Sequence, residues 1–131
     1  MVSSAVTKSV SIDAPVAKVF SFVANLANWP KWAIANVVAV KPGAGEWWAM
    51  ETRTGLGRIR IRPDEASGAL DYDFLSAGVQ WTVAARVVAK ASGSEISLEF
   101  TQPPSISREA FDKQVGLADK ELARLKQLME S

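Results

Sequence analysis

The sequence predicts an α+β fold in which a curved antiparallel sheet wraps around one long C-terminal helix, with two short helices after the first strand. Three observations predict it. In residues 10–32 a strand, a capped amphipathic helix and a Trp-Pro-x-Trp turn follow one another with no linker between them. Residues 34–101 contain six short β-rich runs separated by turn residues. After Ser107, apolar residues recur at helical spacing almost to the end of the chain.

Size, charge and hydropathy limit the classes of protein that fit. The chain has 131 residues, 48% of them hydrophobic, which suits one domain over residues 1–131 with its own core. Fifteen basic and fourteen acidic residues give a net charge of +1, so no overall field attracts nucleic acid or an anionic membrane. No signal-like N-terminus and no apolar run near the roughly 20 residues of a membrane span is present. We expect a cytoplasmic monomer or weak homodimer, with no nucleic-acid partner and no stable membrane insertion.

The missing residue types exclude much ordinary enzymology. The sequence contains neither cysteine nor histidine, so it has no disulfide, no thiolate zinc site and no imidazole to act as metal ligand or general base. No P-loop, dinucleotide fingerprint or catalytic triad is found. We therefore expect no metal and no cofactor.

The first elements follow from spacing and capping signals. Residues 5–12 alternate small or polar residues with apolar ones, which predicts a strand. Asp13 is a candidate N-cap, and Pro15 suits the first turn of a helix over residues 15–25. The apolar stripe of this helix consists of Val16, Val19, Phe20 and Val23. A second short helix or turn is expected over residues 26–32, where Pro30 can open a first turn.

Turn residues divide the middle of the chain into strands. We expect strands near residues 34–40, 46–54, 57–62, 69–75, 79–89 and 94–101. The turns between them contain glycine or proline, at Pro42-Gly43, Gly55, residues 63–68, Ala77-Gly78 and Ser92-Gly93. Closely spaced runs of this kind are typical of an antiparallel meander.

The last helix is predicted to begin after Ser107, a candidate N-cap. Its apolar residues advance by steps of four and three: Phe111, Val115, Ala118, Leu122, Leu125 and Met129. Such a stripe must pack on an apolar surface, which the inner face of the sheet supplies. A gap between a curved sheet and a straight helix becomes an internal cavity.

The stretch VSIDAPVAKVFSFVANLANWPKW, residues 10–32, resembles the opening of the START-like superfamily, also called SRPBCC or helix-grip. It is similar in particular to the polyketide cyclase/dehydrase and lipid-transport branch. The element order of one strand, two helices, six strands and a long helix extends the resemblance over essentially the whole chain. The resemblance implies a pocket for an apolar small molecule.

Alternation along the strands predicts which side chains face that pocket, because side chains point to opposite faces with period two. Arginine and aspartate alternate with apolar residues, so the apolar set should look inward. The inward set consists of Gly57, Ile59, Ile61, Leu70, Tyr72, Phe74, Val79, Trp81, Val83, Ala85, Val87, Ile96, Leu98 and Phe100. The outward set includes Arg58, Arg60 and Arg62, which Glu51, Asp71 and Asp73 can neutralise.

The strand over residues 46–53 is ambiguous. A two-residue turn at Gly55-Leu56 places Thr52 opposite Ile59 and Met50 opposite Ile61, turns Trp48 inward, and sets Glu51 across from Arg60. That phase gives an apolar pocket and is favoured. In the other phase Glu51 and Arg53 are buried in the cavity, which is tolerable only for a paired, functional couple.

Aromatic and apolar side chains are the candidate ligand-binding residues. The predicted lining consists of Trp48, Met50, Ile59, Tyr72, Phe74, Trp81, Phe100 and Phe111. The tryptophans either form an aromatic cage or plug the pocket. Tyr72 is the candidate catalytic group, since its hydroxyl can hydrogen-bond a ligand carbonyl or donate a proton, or can instead reach the pocket rim and water. Asn36 and Thr52 are weaker polar candidates.

Two functions from different classes follow. The first is the binding of an apolar or aromatic, lipid- or polyketide-like molecule in the cavity, as in a carrier or sensor. The second, implied by the resemblance, is a cyclase- or dehydratase-like enzyme acting on such a ligand in the same cavity. A chaperone-activating module of similar fold is a minor third option.

Overall fold

A computed structural model describes residues 5–53, 55–76 and 78–131. Its strands are β1 (Ala5–Ile12), β2 (Val37–Pro42), β3 (Trp48–Thr52), β4 (Gly55–Asp64), β5 (Ala69–Ser76), β6 (Val79–Lys90) and β7 (Gly93–Thr101). Its helices are α1 (Val16–Ala24), α2 (Trp29–Trp32), which follows a 3₁₀ turn at Leu26–Asn28, and α3 (Arg108–Met129). Two predicted positions, Thr54 at the end of a strand and Ala77 in a turn, lie outside the described residues.

The strands form one antiparallel sheet in the order β1-β7-β6-β5-β4-β3-β2. Only β1 leaves the sequential order, and it pairs with β7 from Ala5↔Thr101 to Ile12↔Ser94. The predicted α+β helix-grip architecture is confirmed, because α3 packs its apolar stripe against the inner face of this sheet. All six residues predicted for that stripe are buried.

The start of α1 differs from the prediction. Pro15, in extended conformation, is the residue before the helix, and no side chain caps it. The predicted N-cap at Asp13 is wrong because a tight turn, in which the Ala14 amide donates to the Ile12 carbonyl, separates Asp13 from the helix. The Asp13 amide donates instead to Glu130 Oε2 at 2.8 Å.

Capping and end contacts fix α3 in place. Ser107 is the N-cap as predicted, and its hydroxyl accepts from the Ala110 amide at 3.1 Å. At the other end Lys18 Nζ donates to the Met129 carbonyl at 2.8 Å, and Lys126 Nζ donates to the Ser11 carbonyl at 2.8 Å. These bonds tie the C-terminal end of the helix to α1 and β1.

The β3–β4 hairpin has the predicted phase but not the predicted register. Thr52 pairs with Gly55 and Met50 with Gly57, so both partners lie four positions before those expected. A shift by an even number of residues keeps every side chain on its face, and Met50 is buried while Glu51 is exposed. The position opposite Met50 requires glycine, because a Cβ on Gly57 would collide with the Leu75 carbonyl oxygen.

Two of the outer arginines, Arg60 and Arg62, share one carboxylate as partner. Asp73 receives Arg60 Nε at 2.8 Å and Arg62 Nη1 at 3.3 Å, and the Thr82 hydroxyl at 2.7 Å. Arg60 also lies 3.8 Å from Glu46 and stacks its guanidinium over the Trp47 ring. The expected pairing of Glu51 with Arg60 is wrong, because the hairpin register places Leu56 opposite Glu51.

Candidate functional site

A cavity of about 530 Å³ lies between the inner face of the sheet and the first two-thirds of α3. Its volume is in the range of small-molecule sites. The buried part of the lining consists of Trp29, Ala33, Val37, Met50, Ile59, Tyr72, Trp81, Phe100 and Glu121. The half-buried and exposed part consists of Ala35, Asn36, Thr52, Arg53, Phe74, Ser76, Val79, Ile106, Ala110, Lys113, Gln114 and Leu117. The second set marks the side at which the cavity meets solvent.

Six of the eight predicted lining residues face the cavity: Met50, Ile59, Tyr72, Phe74, Trp81 and Phe100. Trp48 and Phe111 do not. Trp48 is half-buried at the start of β3, two residues further from the hairpin than Met50. Phe111 is fully buried, and its ring stacks on Trp81 at 5.9 Å between centroids.

Aromatic rings form a continuous row along the cavity. Trp29 meets Tyr72 edge-on at 4.7 Å between centroids, and Tyr72 lies 6.3 Å from Phe74. Phe74 and Trp81 are nearly parallel at 5.7 Å. Trp29 and Trp81 therefore form part of the wall and leave the space between sheet and helix open.

Local bonds at the turn between α1 and α2 position Trp29. Its indole Nε1 donates to the Val23 carbonyl at 2.9 Å, and its ring contacts Trp32 at 4.8 Å. Asn25 caps the intervening 3₁₀ turn by accepting from the Ala27 amide. The Trp-Pro-x-Trp motif thus fixes one ring in the core and one in the cavity wall.

Glu121 is the buried carboxylate in this wall, and sequence analysis missed it. It is only 7% exposed. Its Oε2 accepts from the Ala35 amide, the Asn36 amide and Asn36 Nδ2, each at 3.2 Å. Gln114 Nε2 donates to Asn36 Oδ1 at 2.9 Å and extends the network along α3. The available signal was its spacing, three residues after Ala118 and four before Leu125, at the edge of the apolar stripe.

Burial controls the protonation of both ionisable groups in the inner wall. Loss of solvation raises the pKa of Glu121 to about 7, against the lowering effect of the donors from Asn36 and Ala35. Burial, with a smaller contribution from the Glu121 charge, raises the pKa of Tyr72 far above its ordinary value. At neutral pH the Glu121 carboxyl thus populates both forms, while the Tyr72 hydroxyl stays protonated.

Two cationic side chains lie at the open side. Arg53 follows β3 and donates from Nη2 to the Ile34 carbonyl at 3.0 Å, and Lys113 extends from α3. The alternative in which Glu51 and Arg53 form a buried couple is wrong, since both are exposed and only Arg53 reaches the lining. Within the described ranges neither Arg53 nor Lys113 forms an ion pair.

The weaker polar candidates have structural partners. Asn36 holds Glu121, and Thr52 Oγ1 donates to the Gly55 carbonyl at 2.7 Å. In the part of the chain that the structure describes, no three acidic side chains converge as a metal ion would require. Over those same residues, no helix is both long and apolar enough to traverse a bilayer.

Comparison with known proteins gives a consistent result. Residues 3–130 match the model of the family described as polyketide cyclase / dehydrase and lipid transport. No curated protein sequence is similar enough to the chain to count as a relative.

Solved structures show the same fold at low identity. An uncharacterised Bacillus thuringiensis protein is 15% identical with a TM-score of 0.77, covering 98% of this chain and 100% of its own. The protein XoxI from Bacillus cereus is 16% identical with a TM-score of 0.77, covering 96% and 95%. The di-domain ARO/CYC BexL from the BE-7585A biosynthetic pathway is 18% identical with a TM-score of 0.71, covering 98% of this chain and 50% of BexL.

Proposed function

Because the chain belongs to the polyketide cyclase / dehydrase and lipid transport family, we propose that it binds an apolar or aromatic small molecule between the sheet and α3. The observation that carries the proposal is the cavity of about 530 Å³ whose inner wall is a row of aromatic rings. Flat rings offer a large, rigid apolar surface against which a planar ligand can stack.

Polar groups are few in the buried part of this wall, as a site for a mainly apolar ligand requires. Glu121 and Tyr72 are buried among apolar residues, whereas Arg53 and Lys113 lie where the cavity opens. The inner groups would orient the ligand, and the outer cations would contact whatever part of it remains near solvent.

Glu121 favours a second candidate function, an enzyme of the cyclase or dehydratase kind. A carboxyl group with a pKa of about 7 can both accept and return a proton near neutral pH, which general acid–base catalysis requires. The neighbouring Tyr72 hydroxyl could hydrogen-bond a carbonyl oxygen of the same ligand. Chemical change of a bound ligand would separate this candidate from simple binding.

Native mass spectrometry of freshly purified protein, followed by denaturing extraction, tests the proposal. Ser76→Trp adds an indole to the cavity lining, and Ala84→Trp adds the same group to an exposed position of β6 as the matched control. We expect a stoichiometric apolar adduct on the wild type and on Ala84→Trp, and none on Ser76→Trp. An adduct that persists on Ser76→Trp would contradict binding in this cavity.

A further inference from the structure

Two oxygen atoms in the cavity wall have no hydrogen-bond partner among the described residues. All three donors that reach Glu121 go to Oε2, which leaves Oε1 unused. The Tyr72 hydroxyl, in a side chain only 5% exposed, likewise has no described partner. Both residues line the same cavity.

The hydrogen bonds through which Glu121 stabilises the fold do not involve Oε1. Oε2 alone accepts from the backbone amides of Ala35 and Asn36 and joins α3 to the segment before β2. A glutamine could accept those bonds through its carbonyl oxygen. Among the described residues, Trp32 Nε1 is the one fully buried side-chain polar atom without a partner. Glu121 Oε1 is therefore accessible from the cavity, where a donor on a ligand can reach it.

The chemistry of the two groups specifies that partner. An ionised carboxylate only accepts hydrogen bonds, and a protonated phenol can donate one. A ligand hydroxyl can donate to the first and accept from the second. An ether or ketone oxygen can only accept, and a hydrocarbon does neither, so each would leave Glu121 Oε1 without a donor.

We propose that Glu121 makes the cavity selective for an apolar or aromatic molecule that carries a hydroxyl group, by accepting a hydrogen bond from it. Tyr72 donates to an oxygen of the same ligand. This inference rests on the proposed function, because it requires that the ligand occupies the cavity.

Protonation of Glu121 must weaken the selectivity, since a protonated carboxyl can present a donor in place of an acceptor. The pKa of about 7 places this change near neutral pH. The other ionisable side chains of the lining are Tyr72 on β5, Arg53 after β3 and Lys113 on α3. Burial keeps the Tyr72 hydroxyl protonated by raising its pKa, so of the two buried ionisable groups in the lining Glu121 is the one that titrates in this window.

The test compares two probes with the same rings, 2-naphthol and 2-methoxynaphthalene, by calorimetric titration at about pH 8 and about pH 5.5, on either side of the Glu121 pKa. A hydrogen bond to a charged group corresponds to about tenfold or more in affinity. We expect the wild type at about pH 8 to prefer 2-naphthol by at least that factor, and the preference to fall at about pH 5.5.

Glu121→Gln should reduce the preference to within about threefold at both pH values, because the glutamine amide can donate to the ether oxygen as well as accept from a hydroxyl. Glu109→Gln, at an exposed position in the first turn of α3, is the matched control and should behave as the wild type. The pH comparison on the wild type keeps the test decisive if Glu121→Gln does not fold.

The contrary outcomes separate the role of Glu121 from binding in the cavity. Equal binding of the two probes by the wild type, or a preference that survives both Glu121→Gln and low pH, would overturn the role of Glu121 and leave cavity binding standing. If neither probe binds the wild type, the proposed function and this inference fail together.

Discussion

Glu121 on α3 accepts hydrogen bonds from both the backbone and the side-chain amide of Asn36, each at 3.2 Å. This relationship joins the long helix to the segment that enters β2. It also holds a carboxyl group inside a wall that is otherwise mostly aromatic and aliphatic. The same contact therefore supports the fold and supplies the most chemically active group of the cavity.

Ionisation of Glu121 should lower the stability of the folded protein. Its pKa is raised from 4.5 to about 7, so between these pH values the folded state binds more protons than the unfolded state, and stability falls as pH rises. At about 1.4 kcal/mol per pKa unit, the loss is on the order of 3 kcal/mol. In urea denaturation across this range, the free energy of unfolding of Glu121→Gln should rise relative to that of the wild type as pH increases. A stability difference independent of pH would contradict the buried, titrating carboxyl.

Truncation of Leu122 should destabilise the protein by about 2 to 5 kcal/mol, because its side chain lies in the buried stripe of α3 and its removal leaves a cavity. The measurement is the free energy of unfolding of Leu122→Ala in denaturant. Lys120→Ala, at an exposed position of the same helix, is the control and should change stability by less than about 0.5 kcal/mol. Similar small effects of both substitutions would mean that α3 is not docked on the sheet.

Gly116 lies at an exposed position within α3, where an added Cβ would meet open space. Alanine has the higher helix propensity, since glycine loses more backbone entropy on folding. Gly116→Ala should therefore raise the free energy of unfolding by about 0.5 to 1 kcal/mol. A destabilised variant would show that the glycine has a role in packing or in movement of the helix.

Asp73 should be the most important carboxylate of the outer face. Burial opposes its ionisation, but hydrogen bonds from Thr82 and Arg60 and the charges of Arg62 and Arg60 outweigh burial and lower its pKa. Asp73→Asn should cost about 1 to 3 kcal/mol at neutral pH. Because the pKa is lowered, the wild-type advantage should disappear as pH falls through the folded-state pKa. Asp64→Asn, at an exposed position of β4, is the control; an equal loss in both would rule out the Asp73 network as the cause.

The sequence predicted the faces of the strands because alternation survives errors in register. Met50 is buried and Glu51 exposed even though their partners on β4 are not the expected ones. The register itself depends on where the hairpin turns and on the close approach of Gly57 to the Leu75 carbonyl. Neither is visible in the order of apolar and polar residues.

How deeply a side chain is buried was harder to predict than the side of its strand or helix on which it lies. Phe111 belongs to the apolar stripe of α3, but it is fully buried against the Trp81 ring and does not line the cavity. Glu121 has the spacing of a core residue and the chemistry of a surface residue, so composition alone assigns it to solvent. Hydrogen bonds from the amides of Ala35 and Asn36 compensate for its burial. These donors are distant in sequence, and only the folded chain brings them near.

If an aromatic ligand occupies the cavity, a complex with 2-naphthol should show intermolecular NOEs to side chains of the cavity lining. We expect NOEs from the ring protons to the methyl groups of Met50 and Ile59, which are both buried in the lining. NOEs confined to Leu56 and Val38, whose side chains are 83% and 48% exposed on the surface, would contradict it.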